Sequence, residues 1–317
     1  MIKLTKKWWI SSLVMLTVIA CSPANVETTT PESREAENSE VTLIAAPDNW
    51  RQNTHIHSIG INPDNPEVIY LATHHGLIKR SEAGEWLQVG ENRSDFMSFA
   101  IDPQDSSRFY GSGHPPTGGN LGFVVSDNQG QDWQLQALSG VDFHALAIAP
   151  ADPNIIYGWI TSGKQGEEGF FVSKDGGKNW TQLITAGLEV HPFSLAVDPS
   201  NKNHLFATTE LGLYESKDGG SNWKAVANSL QAPIASLALV EESNQTIIYA
   251  YPLQKETSGI FRSKDYGKTW EPVGQGIEGL ILQLAVAPSN PQILYAVNQE
   301  SIIFQSRDSG KTWQELK

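Results

Sequence analysis

One eight-residue pattern, S-x-D-x-G-x-x-W, recurs along the chain and limits its fold more than any other feature. It reads "SDNQGQDW", "SKDGGKNW", "SKDGGSNW", "SKDYGKTW" and "SRDSGKTW", ending at Trp133, Trp180, Trp223, Trp270 and Trp313, with a shortened "SEAGEW" ending at Trp86. Successive tryptophans lie 47, 47, 43, 47 and 43 residues apart. A second element recurs between them: "IGINPDNPEVIY", "FAIDPQDSSRFY", "LAIAPADPNIIY", "LAVDPSNKNHLF", "LALVEESNQTIIY" and "LAVAPSNPQILY". A fixed period of this length marks one supersecondary unit per repeat, each burying its apolar face against its neighbours.

Each unit reads as four short strands. A strand of small and apolar residues leads through a Pro/Asp/Asn turn to a strand ending in Tyr or Phe. A variable loop, a strand such as "GLYES", the S-x-D-x-G turn and a last strand beginning at the Trp complete it. Six such units predict an all-β fold, a six-bladed β-propeller over residues 41–317. Seven blades is the alternative, but the N-terminal segment hardly has residues for another unit. An extra apolar strand at 41–46, "VTLIAA", is expected to pair with the last blade and close the ring, since an open sheet edge invites aggregation.

The first residues have a different character. Lys3, Lys6 and Lys7 precede an apolar run from Trp8 to Ala20 that is too short to span a bilayer, so 1–20 reads as an export signal. Residues 21–40, rich in Thr, Ser, Pro and Glu, lack an apolar cluster and read as a flexible tether. The formal net charge is −13, and the leader holds three of the lysines. That balance argues against nucleic acid and against docking on anionic lipid headgroups.

Three resemblances add to this reading. "VIAC" resembles the lipobox of bacterial lipoproteins, which implies that Cys21 is lipidated and becomes the mature N-terminus. Cys21 is the single cysteine, so no internal disulfide competes for it. A membrane-anchored monomer in the cell envelope, outside the cytoplasm, follows as an expectation. The S-x-D-x-G-x-x-W units resemble Asp-box (BNR) repeats. Asp175, Asp218, Asp265 and Asp308 look like recurring catalytic carboxylates, yet an Asp that caps a tight turn over a glycine and a packed Trp explains the spacing more simply. Asn128 replaces Asp in the second unit, which capping tolerates and catalysis does not. Finally, "THIHSIG", "THHGLI", "GHPPTGGNLG" and "VDFHALAIAP" resemble a group of bacterial single-propeller proteins called glycosyl hydrolase-like or sortilin-like. Arginine is absent from the inner-strand starts and no Arg-Ile-Pro occurs, so sialidase activity is not expected.

Histidine placement points to a site. Aligning the units sets His57 level with Met97, His144 and Phe193, and the residues two before these are His55, Asp95, Asp142 and His191. Period-two spacing would put each pair on one side of its strand. Loops expected on the same propeller face carry His74, His75 and His114, whereas His204 falls toward the opposite face. Imidazoles with carboxylates suit zinc or copper, and the Met97 thioether would favour copper(I). Two functions remain open. One is a binding module that holds a metal, a small ligand or a protein partner at this mouth. The other is a glycoside hydrolase-like enzyme drawing on Asp95, Asp142, Glu210 and Glu300, with Trp159 and Tyr251 lining a carbohydrate groove.

Overall fold

The structure is a computed structural model that describes residues 43–317, apart from 53, 164–166, 228–229, 231, 254–258 and 275. The leader, Cys21 and the tether lie outside the described residues. Strands account for all the regular structure among the described residues, in six antiparallel sheets that follow one another along the chain. Each sheet runs in chain order from its inner to its outer strand, so every blade is built from local hairpins. The inner strands are Ile56–Ile61, Asp95–Asp102, Asp142–Ile148, Ser194–Asp198, Ile234–Glu242 and Ile281–Ala287. Each packs against the inner strands of the blades on either side, and that of blade six packs against that of blade one. The chain is therefore a six-bladed propeller, as the repeat count predicts.

The expected closing strand behaves differently. Leu43–Ala45 pairs with Trp86–Val89 and becomes a fifth, outermost strand of blade one. It covers that blade's outer edge and takes no part in blade six. Blade six already has four strands of its own, ending at Gln314–Glu315, which leaves no vacancy for a donated strand. The ring closes by packing instead: Ile56, Ile69 and Leu71 bury against Tyr295, Val297 and Ile303. Tyr295 Oη donates to Pro66 O at 2.8 Å and Ser301 Oγ to Thr54 O at 3.0 Å across the same seam.

The aromatic that ends the second recurring motif is a wedge between blades. Tyr70, Tyr110, Tyr157, Phe206, Tyr249 and Tyr295 are all buried. Burial of a phenol needs a hydrogen-bond partner, and the next blade often supplies it. Tyr70 Oη donates to Gln129 Oε1 at 3.0 Å and Tyr157 Oη to Lys202 O at 3.0 Å.

The Asp-box residues are structural. Ser173 Oγ donates to Asp175 Oδ1 at 2.9 Å and accepts from Gly177 N at 2.8 Å; Asp175 Oδ1 also accepts from Asn179 N at 2.9 Å. Trp180 Nε1 closes the turn by donating to Gly177 O at 3.0 Å. The same set recurs at Asp218 with Trp223, Asp265 with Trp270 and Asp308 with Trp313. In blade two Asn128 Oδ1 accepts from Ser126 Oγ and Asp132 N, and Trp133 Nε1 donates to Gly130 O, so an amide replaces the carboxylate without changing the turn. Hydrogen bonds from Asn179 hold the Asp175 carboxyl near about 2, far from the range of a proton donor at neutral pH.

Candidate functional site

The mouth of the channel is shaped by a repeated irregularity. In blades one, two, three, five and six the strand register shifts where His57, Met97, His144, Ala235 and Leu282 lie. A bulge inserts one residue opposite its partner and re-aims the side chains around it. Side-chain direction at these positions is therefore set by the bulge as well as by the period-two alternation. Asp142 and His144 do meet, with Nε2 2.7 Å from Oδ2. Asp95 instead approaches His57 of the neighbouring blade, at 3.4 Å.

Two groups result. His57, His74 and Asp95 bring one ligand atom each within 4.8 Å of one another, as do His114, Asp142 and His144. In the first, His57 comes from an inner strand, while His74 sits in the tight turn after Thr73. Thr73 Oγ1 bonds the turn at both ends, accepting from His75 N and donating to Gly76 O, and His74 N donates to Thr54 Oγ1. The His57 and His74 rings stack at 4.7 Å, and His55 tilts against His74 at 5.4 Å. Burial, and to a smaller extent the neighbouring imidazoles, lower His57 to about 4 against the pull of Asp95, so its ring is neutral and carries a lone pair at neutral pH.

The second group is anchored by Asp142, whose side chain is 2% exposed. His114 Nε2 stands 3.5 Å from Asp142 Oδ2. Its Nδ1–H donates to Gly119 O and Asn120 Oδ1, both at 3.1 Å, which leaves Nε2 as the acceptor nitrogen facing the carboxylate. Asn120 is itself held by bonds to Gly140 O and Ser162 Oγ.

Three side-chain atoms of these residues are buried without a hydrogen-bond partner among the described residues: His57 Nε2, Asp95 Oδ1 and Asp142 Oδ1. The 3.4 Å separation of the first two is not aligned as a hydrogen bond. Buried polar atoms are nearly always satisfied, and three of the eight such orphans among the described residues fall in these two groups, which marks the mouth as a candidate site.

Other expected residues lie elsewhere. His75 is exposed and borders a separate cavity with Trp50, Thr54 and Gln88. The blade-two lining of the central cavity is Ser98 and Phe99 rather than Met97. Glu210 is exposed in the turn between Thr209 and Gly212, and Glu300 accepts from Asn298 Nδ2 within its own turn. Trp159 and Tyr251 are buried in second strands that extend over the loop positions expected for them, so neither offers a face to a carbohydrate. His191 packs against Trp159 at 5.4 Å. On the opposite side of blade four, His204 is clamped between Asp198 and Glu215, each at 2.8 Å.

Sequence reading missed Asn120, Ser98 and Gly113. Asn120 had a signal, lying six residues after His114 in "GHPPTGGN". Gly113 is required by a close approach: a Cβ there, at φ +151°, would sit 1.9 Å from Asp95 O.

Comparison with known proteins agrees with the architecture. The BNR-Asp box repeat matches residues 260–273. No curated protein matches the chain in sequence. The GH74 xyloglucanase from Xanthomonas campestris is similar in structure, with 18% identity and a TM-score of 0.56, covering 87% of this chain and 47% of its own. An ancestral GH74 enzyme gives 18% identity and a TM-score of 0.54, covering 82% and 38%. PorZ, a surface component of the type-IX secretion system of Porphyromonas gingivalis, gives 13% and 0.48, covering 83% and 38%. The chain spans less than half the length of each, and at such identity what is shared is the propeller fold.

Proposed function

We propose that this propeller binds divalent first-row transition-metal ions at its channel mouth, one at His57, His74 and Asp95 and one at His114, Asp142 and His144. The observation that carries the reading is the convergence of two imidazoles and one carboxylate in each group, with three of their atoms buried and unpartnered. Two histidines and a carboxylate leave open positions on a metal and suit zinc, iron(II) or copper(II) better than magnesium or calcium, which prefer all-oxygen shells. Copper(I) is disfavoured, because the Met97 thioether does not join the cavity lining.

The glycoside hydrolase reading has less support. Asp95 and Asp142 each face imidazoles, while Glu210 and Glu300 sit in turns of blades four and six. The same proposal places the propeller outside the cytoplasm on a lipid attached to Cys21, supported by the charged and apolar leader.

The test is metal content. The compact unit Val41–Lys317, made without a histidine tag, is incubated with zinc or copper, desalted and assayed by elemental mass spectrometry. Two ions per chain are expected, one after His144→Ala and none after His57→Ala with His144→Ala. Retention of neither ion would remove the metal reading and return Asp95 and Asp142 to a screen of glycosides.

A further inference from the structure

The two groups are neighbours. Asp95 of the first and His114 of the second are direct register partners between the first two strands of blade two. Antiparallel partners have Cα atoms roughly 4.5–5.5 Å apart. Gly113, beside His114, lets the two backbones close on each other at the bulge, since any side chain there would collide with Asp95 O. His57 of the first group and His144 of the second line one cavity of about 170 Å³ at the channel axis.

We propose that the two triads work as a single two-metal centre whose ligand is a tetrahedral oxyanion of the phosphate class. The inference rests on the metal reading above and adds a ligand to it. Two divalent ions held by two carboxylates and four neutral imidazoles leave two uncompensated positive charges in a half-buried mouth. A dianion that bridges both ions neutralises them, whereas a sugar hydroxyl leaves the charge standing.

The cavity wall fits the same ligand. It is lined by Ser58, Ser98, Ser194, Ser236 and Gln283, of which Ser194 Oγ is bonded to Thr208 Oγ1 at 2.8 Å, and neither Lys nor Arg lies among its described lining residues. Ser98 is 2% exposed and its Oγ has no hydrogen-bond partner among the described residues, which leaves a buried donor on the cavity wall. Ser236 Oγ accepts from Leu284 N, so its own O–H remains free to donate. Metal ions at the rim and hydroxyl donors along the wall supply what the oxygens of a phosphate need, and the cavity is too small for an extended glycan.

The experiment starts from Val41–Lys317 carrying two zinc ions, verified by elemental mass spectrometry. Isothermal titration then follows inorganic phosphate, phenyl phosphate and, as a monoanion control, acetate. One phosphate per chain should bind to the zinc-loaded protein and not to the metal-free protein. Phosphate should in turn tighten the second zinc at least tenfold, because coupling between two ligands is reciprocal. Ser98→Ala should weaken phosphate about tenfold at unchanged zinc content. Asp142→Asn should retain one zinc and lose phosphate binding. Phenyl phosphate binding equally well identifies a phosphate monoester as the ligand class, and its exclusion identifies the free ion. Two bound zinc ions with no phosphate binding, or with acetate as strong as phosphate, overturn the oxyanion inference and leave the metal reading standing. Retention of neither zinc nor copper overturns both.

Discussion

Replacing Gly177 by Ala tests whether the Asp-box is a packing device, and its neighbour Gly176 supplies the control. Both glycines have positive φ, +86° and +71°. A Cβ on Gly177 would lie 2.1 Å from Phe123 Cε1 and 2.7 Å from Cζ, well inside the roughly 3.5–4.0 Å of a carbon–carbon contact. Phe123 cannot move away: it is buried and packed against Tyr110, Phe143 and Trp180. A left-handed backbone costs an alanine about 1–2 kcal/mol, and overpacking a rigid core costs about 1–3 kcal/mol more. Gly177→Ala should therefore destabilise the propeller by roughly 2–5 kcal/mol. At Gly176 the nearest atom to a Cβ is Asn154 Oδ1 at 3.7 Å, so only the conformational cost applies. That cost is partly offset by the stiffer unfolded chain, leaving about 1 kcal/mol. The sequence already places Gln129, Tyr266 and Ser309 at the equivalent position, each with φ near +60°. Urea unfolding followed by tryptophan fluorescence measures both variants, and zinc content is checked alongside. Equal losses for the two variants, or a loss at Gly177 below about 1 kcal/mol, would refute the packing argument. Lost zinc with unchanged stability would refute the structural role assigned to this turn.

Three further predictions concern the site and its support. Asn120→Ala removes one of the two acceptors that orient the His114 ring, so zinc affinity at the second triad should fall about 10-fold while the first triad is unchanged, as read by competition with a chromogenic chelator. Gly113→Ala pushes against Asp95 O and should weaken both triads together, which Asn120→Ala does not. His204 titrates with a defined sign. Burial alone would lower it, but the bonds its ring donates to Asp198 and Glu215 outweigh burial and raise its pKa above 6.5. Its stabilisation is thus complete below pH 6.5 and is lost as pH rises through the raised folded value. His204→Gln should abolish that alkaline fall in unfolding free energy, and a wild-type stability flat from pH 6 to 9 would contradict it.

Much of the fold was legible because each blade closes on residues adjacent in the chain. The S-x-D-x-G-x-x-W turn carries its own hydrogen bonds, so its period alone counts the blades and reveals the aspartates as caps. The strand at Leu43–Ala45 was misplaced for a related reason. Its apolar character demands an edge to cover but does not say which of two edges, and the occupied fourth strand of blade six settled the choice. Trp159 and Tyr251 were misjudged because strand length, rather than composition, decides whether a residue near a loop is inside a blade.

The sequence could gather seven histidines toward one face, since that follows from where a residue falls within its repeat. Which of them meet was a matter for three dimensions. His57, Asp95 and His144 come from three different blades, and their separations depend on bulges that add one residue to a strand without any mark in its pattern. Asp95 approaches His57 of the blade before it, whereas Asp142 meets His144 of its own strand. Repeat spacing fixes the topology because it acts through local hydrogen bonds. The ligand geometry is fixed by packing between blades, to which residues far apart in sequence contribute together.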